Sequence, residues 1–158
     1  MQSYEAKASA VVKASAAQVY GILADYHQGH PHILPEQFNN VTVTHGGIGA
    51  GTQLRFTMTV MGQTHHFQSV VTEPEPGRVL VESNTSATMP PSVTTFTVEP
   101  LAGSAHCQVT IQTQSQSRDG LAGVIERFLS KRFLQGIYAQ ELALLTTYAE
   151  GQAQKTLV

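Results

Sequence analysis

Apolar and polar residues alternate with a period of two over most of residues 41–114, and from Gly120 onward the spacing changes to that of a helix. A period of two puts successive side chains on opposite faces of a strand, whereas apolar residues three and four apart share one face of a helix. At the start of the chain, Ala6, Ala8, Ala10 and Val12 alternate with Glu5, Lys7 and Ser9, which predicts a half-buried strand over Tyr4 to Ala14 with small inner side chains. Ser15, three residues before Gln18, has capping-box spacing. Val19, Ile22, Leu23 and Tyr26 follow at helical intervals, so a short helix ends near Asp25. The two prolines and the glycine of His27 to Pro35 then predict a bend with about one helical turn, ending near Phe38.

Further strands follow at Val41–Thr44 and Thr52–Val60, joined by the glycine-rich stretch His45 to Gly51. That stretch lacks the Gly-Lys-Ser/Thr of a phosphate loop and leads into a strand, not a helix, so it is read as a hairpin loop. With Met61-Gly62 as the next turn, Met58 pairs with His65, Phe56 with Phe67 and Leu54 with Ser69. A four-residue turn at Pro74–Gly77 then sets Glu73 opposite Arg78, Val71 opposite Leu80, Ser69 opposite Glu82 and Phe67 opposite Asn84. A further four-residue turn at Leu101–Ser104 sets Thr94, Phe96 and Val98 opposite Ile111, Val109 and Cys107. In this register Leu54, Phe56, Met58, His65, Phe67, Glu82, Asn84, Phe96 and Val98 all face inward. A turn of odd length would exchange the faces downstream.

On the last helix, Leu121, Val124, Ile125, Phe128 and Leu129 form one apolar stripe. Phe133, Leu134, Ile137, Leu144, Leu145 and Tyr148 form another, with Ser130–Arg132 and Gly136 at the changeover. The first stripe is assigned to the mouth of a cavity, and the second to the sheet core or a partner subunit. A single helix laid over a curved sheet covers only part of its inner face, so a cavity between them is the natural outcome.

The 158 residues fit one domain, taken as 1–150, with 151–158 as a short tail. Charged residues make up 13%, the net charge is −2, and the nine Lys and Arg are scattered, which argues against nucleic acid and against an anionic membrane surface. No stretch has the length and apolarity of a membrane span, so no membrane insertion is expected. The single Cys107 fits a reducing compartment, and the expected location is cytoplasmic. The expected state is a monomer or homodimer.

The order strand, helix, helical turn, six strands, long helix resembles the helix-grip fold of the START-like (SRPBCC) superfamily, an α+β class typified by Bet v 1. A seven-stranded curved antiparallel sheet there wraps a long C-terminal helix, with two short helices after the first strand. Ser15-Ala-Ala-Gln-Val-Tyr20, Asp25-Tyr26 before the Pro-rich bend, and Gly47-Ile-Gly-Ala-Gly51-Thr52 carry the resemblance, which covers nearly the whole chain. It implies a cavity for a hydrophobic small molecule such as a lipid, quinone, polyketide or aromatic, and no cofactor.

Three readings of function follow. The first is a carrier or sensor of such a ligand. The second is a cofactor-independent cyclase, dehydratase or aromatase using His65, Glu82 and Asn84 as acid, base and positioning groups. The third is an interaction module docking through the second stripe of the last helix. Glu82 has a structural alternative, an ion pair with Arg127, Lys131 or Arg132. The ligand-contacting set comprises Tyr26, His30, Leu54, Phe56, Met58, His65, Phe67, Glu82, Asn84, Phe96, Val98, Ile125 and Phe128. His27, His30 and His32 offer nitrogen ligands, but no paired Cys or Glu-His motif supports them, so they are placed at the rim and no metal is assigned.

Overall fold

In a computed structural model, residues 1–156 are described, and they form seven strands, two α-helices and one 3-10 turn. Strand β1 spans Gln2–Val12, helix α1 spans Ala16–Ala24, and the 3-10 turn spans His30–Ile33. Strands β2 to β7 follow at Phe38–His45, Gln53–Val60, Gln63–Glu75, Val79–Thr85, Ser92–Pro100 and Cys107–Ser117. Helix α2 spans Gly120–Thr156. All strand pairs are antiparallel, in the order β1-β7-β6-β5-β4-β3-β2. This is the helix-grip architecture that the strand periodicity and element order lead to.

Local chemistry accounts for the boundaries. The Ser15 hydroxyl accepts the Gln18 N–H at 3.2 Å and caps α1. The Asp25 carboxylate takes the N–H groups of His27 and Gln28, each at 3.0 Å, and turns the chain at the helix end. The glycine-rich loop folds back onto this bend: Gly47 O accepts the Tyr26 N–H, and Gly49 N–H donates to Ala24 O. At Gly47, φ is +137° and an added Cβ would fall 1.9 Å from the His27 ring, so both backbone and space demand glycine there.

The β3–β4 register matches the sequence reading pair for pair, because Met61 and Gly62 (φ +50° and +80°) make the tight hairpin turn assumed for them. The next two pairings each differ by two residues. Strand β4 runs on to Glu75 through an irregularity after Thr72, and the chain reverses at Pro76-Gly77. Val71 therefore meets Glu82, and Ser69 meets Asn84. The turn after Pro100 holds six residues instead of four, so Phe96 meets Ile111 and Val98 meets Val109. Both slips are even, and the inward faces survive them.

The small side chains of β1 let α2 lie close, and this is the strand α2 contacts most. Ile137, Tyr138, Leu142, Leu145 and Ala149 of α2 are buried. The helix continues through residues 151–156 of the expected tail, and 157–158 lie outside the described residues. None of the described helices is long and apolar enough to cross a membrane.

Candidate functional site

Between the concave sheet, the 3-10 turn and the middle of α2 lies a cavity of about 120 Å³. One wall is apolar. Leu54, Phe56 and Met58 of β3 and Phe67 of β4 line it with Leu34 and Phe38, and the Phe56 and Phe67 rings stack at 5.2 Å. The other wall is polar: Glu82, Asn84, Ser92, Thr94, Thr113 and Ser115 from β5 to β7, joined by Tyr26, His30, Tyr138 and Glu141.

His30 is the centre of that polar group and is 4% exposed. Its Nδ1 lies 2.7 Å from Leu23 O, so the N–H donates there and, in the neutral ring, leaves the Nε2 lone pair free. Nε2 stands 3.9 Å from a carboxylate oxygen of Glu82 and 3.9 Å from one of Glu141. The Tyr26 hydroxyl donates to Glu82 at 2.6 Å, and the Tyr26 ring stacks on His30 at 4.5 Å. Phe96 meets His30 edge-on at 5.7 Å. Two aromatic rings and two carboxyl groups thus surround the imidazole.

Burial pushes the Glu141 carboxyl well above its ordinary range, and the nearby Glu82 adds to the rise. Burial, with Glu82 second, likewise raises the Tyr26 phenol and keeps it a donor. Tyr138 is raised chiefly by burial, and its hydroxyl bonds Thr113, which bonds Thr94 at 2.7 Å. The arrangement brings the His30 Nε2 and the Glu141 carboxyl, whose ionisation burial opposes, together on the polar wall of a cavity whose other wall is apolar.

A family model for polyketide cyclase/dehydrase and lipid transport matches residues 3–150. The chain belongs to that family. Its fold is shared with the solution structure of the KanY protein (TM-score 0.80, 22% identity, covering 95% of this chain and 99% of that one). It is also similar to the Zhui aromatase/cyclase from Streptomyces sp. R1128 (TM-score 0.78, 17% identity, 96% of each chain). A START superfamily protein from Mycobacterium smegmatis matches with TM-score 0.72 and 17% identity over 94% of this chain and 98% of that one. No curated protein matches in sequence. Cyclases, dehydrases and lipid carriers all handle hydrophobic small molecules, and that much holds for the family.

Within this polyketide cyclase-like frame, the structure sorts the candidate residues. Tyr26, His30, Leu54, Phe56, Met58, Phe67, Glu82, Asn84 and Phe96 line the cavity. Four others do not. His65 pairs with the cavity-lining Met58, but its own ring lies outside the lining and bonds Thr88 at 2.8 Å. Val98 is fully buried core beside Val109. Ile125 and Phe128 are 53% and 63% exposed, since α2 meets the cavity one turn later, through Ser130, Phe133, Leu134, Tyr138 and Glu141.

The assignment of the two helix stripes is therefore corrected. Much of the second stripe, which includes Ile137 and Leu145, is buried or lines the cavity and is not open for docking, while Leu121 to Leu129 face outward. Phe128→Gln should leave the urea-derived unfolding free energy within about 0.5 kcal/mol of the parent, as expected for a surface position. Glu82 pairs with Tyr26 rather than with a helix cation, and Arg127 is held by Ser117 and the Arg118 carbonyl. Of the three histidines, His30 is inside, His27 bonds Gly46 O, and the exposed His32 stacks on Tyr148. Glu141 was absent from the sequence reading altogether. Its signal was its spacing, four residues from both Ile137 and Leu145 on the buried face of α2.

Proposed function

We propose that this protein binds a hydrophobic carbonyl compound in the cavity and catalyses proton transfer on it, as a cyclase or dehydratase of the polyketide type does. The observation that carries the reading is His30 held between Glu82 and Glu141 on the polar wall of the cavity, facing an apolar one. Burying carboxylates costs several kcal/mol per ion, and a carrier of an apolar ligand has no use for them. His30 Nε2 takes a proton from the carbon beside the ligand's carbonyl, and the Glu141 carboxyl gives its proton to the carbonyl oxygen, forming the enol. Tyr26 and Glu82 hold the resulting imidazolium in place. The enol carbon then adds to a second carbonyl of the same molecule, whose oxygen takes the imidazolium proton from His30, or a β-hydroxyl takes that proton and leaves as water; in both cases the enol O–H returns its proton to Glu141 as the first carbonyl re-forms.

The test uses 1-tetralone in D2O, following its α-proton signal by NMR. The protein should accelerate exchange above the buffer rate, and His30→Gln should return it to that rate while calorimetric binding of 1-tetralone persists. Binding with no acceleration in the parent protein would make it a carrier and overturn the catalytic reading.

A further inference from the structure

Helix α2 opens with an apolar face turned to solvent. Gly123 seats its first turn against the body: the residue is buried, and a Cβ there would fall 1.7 Å from the Arg118 carbonyl oxygen. At about 100° per residue the opposite face carries Leu121, Val124, Ile125, Phe128 and Leu129, which are 39–78% exposed. Other elements bring apolar side chains to the same end of the molecule. The Ser115 hydroxyl donates to Pro91 O at 3.2 Å and ties the β5–β6 loop to the end of β7, while His65 bonds Thr88 of that loop and ties it to the β3–β4 hairpin. Met61 at the hairpin turn is 72% exposed, and Val60, Met89 and Pro90 from the same hairpin and loop line the cavity.

Charge is divided along the chain in the same way. Residues 118–132 hold four cations, Arg118, Arg127, Lys131 and Arg132, and two anions, Asp119 and Glu126, a net of +2; the rest of the chain, with five and nine, carries −4. The overall charge of −2, which argued against an anionic membrane surface, averages over this asymmetry. Arg118 pairs with Glu126, and Arg127 is held by Ser117. Lys131 and Arg132 are exposed and make no salt bridge among the described residues. They lie three and four residues beyond Phe128 and so continue the apolar stripe by one turn.

A stable protein partner does not fit a face of this size. Such interfaces take about 20–30 residues a side, whereas Leu121 to Leu129 span about 12 Å of helix. A lipid surface needs no matching partner, because a few Leu and Phe side chains enter the boundary between headgroups and acyl chains while Lys and Arg meet anionic phosphates. We infer that the first three turns of α2 dock on an anionic phospholipid bilayer, with the apolar stripe in the interface and Lys131 and Arg132 at the headgroups. The protein lies on the bilayer and does not cross it. Docking places the Val60 and Met89–Pro90 end of the cavity near the lipid, and it holds whether or not His30 moves a proton.

Vesicle flotation tests this, with vesicles of phosphatidylcholine alone and of phosphatidylcholine with phosphatidylglycerol. The parent protein should float with the anionic vesicles and lose most of that binding as salt rises from about 0.1 to about 1 M, where the Debye length falls from about 10 to about 3 Å. Replacing Lys131 and Arg132 with glutamine should weaken binding about thirtyfold, roughly five- to sixfold for each cation. Phe128→Gln should weaken it about tenfold or more, whereas Leu144→Gln, at an exposed leucine of α2 outside the stripe, should leave it unchanged. The chain has no tryptophan, so Phe128→Trp supplies a single reporter whose emission should shift to the blue on adding anionic vesicles, and Leu144→Trp one whose emission should not. Thermal melts establish that each variant is folded. Parent protein that stays unfloated, or that floats no better than Phe128→Gln, would overturn the inference. So would a dimer in sedimentation velocity that Phe128→Gln dissociates, with no flotation, since the stripe would then belong to a second copy.

Discussion

Phe96→Ala is expected to lower the unfolding free energy by about 3–5 kcal/mol, the range for truncating a fully packed aromatic residue. Phe96 is 2% exposed on the interior strand β6, between Leu80 and Ile111, which are both fully buried. Helix α1 packs against the same strand. The ring also sets its edge against His30, so the hollow left behind adjoins the imidazole. Against a typical total of 5–15 kcal/mol, this is a large fraction of the stability. Urea denaturation followed by circular dichroism measures it. Phe96→Leu, which keeps most of the volume, should lose about 1.5 kcal/mol or less. A loss below 1 kcal/mol for the alanine variant would mean that β6 is not the packed centre of the sheet.

How far such a site was legible beforehand depended on which physical rule governed each residue. Inward faces followed from alternation and the assumed turns, and they survived because the net register slips were even: the three-residue reversal at 76–78 is offset by the irregularity after Thr72, and the turn at 101–106 is longer by two. Turn length itself was not legible: Pro74 and Pro76 both signal a reversal, and only the folded chain shows that β4 passes Pro74 and turns at Pro76-Gly77. His65 was overvalued for a related reason. Facing inward is a property of the strand, but reaching the cavity depends on where the side chain is drawn, and the His65 ring is bonded to Thr88 outside a lining that includes its cross-strand partner Met58. His30 stood in the ligand-contacting set, but its place inside the cavity, not at the rim with His27 and His32, was not legible, because the orientation of a short 3-10 turn is set by contacts distant in sequence. His30 N–H bonds Asp25 O while Gly47 O holds Tyr26. Glu141 was hidden by its charge. A carboxylate on a helix is by default assigned to solvent, so its place on the buried stripe was passed over.

That buried carboxylate supports the second large prediction. Glu141→Gln is expected to raise the melting temperature at pH 8 by roughly 5 °C, the shift that one to two kcal/mol produces in a domain of this size. At pH 4 it should change it little. The folded-state pKa of Glu141 is raised above its ordinary 4.5, mainly by burial and further by Glu82. Below the unfolded value both states carry the proton, so ionisation of Glu141 costs the folded chain nothing. Above it the unfolded chain releases its proton before the folded chain does, and stability falls with each step in pH until the folded group also ionises. Glutamine does not titrate, so the difference between variant and parent should grow from pH 4 to pH 8. Carboxylates distant from Glu141 cancel in that difference, and the coupling to Glu82 is part of what it measures. The same substitution should reduce proton transfer to 1-tetralone by 10²- to 10⁴-fold, the usual worth of a positioned acid. Parallel pH profiles for parent and variant would mean that Glu141 is not held protonated. A substitution that strengthens the fold and silences the chemistry would mark a group kept against its cost to stability, and the proposed reaction would then account for a carboxyl on the buried face of α2.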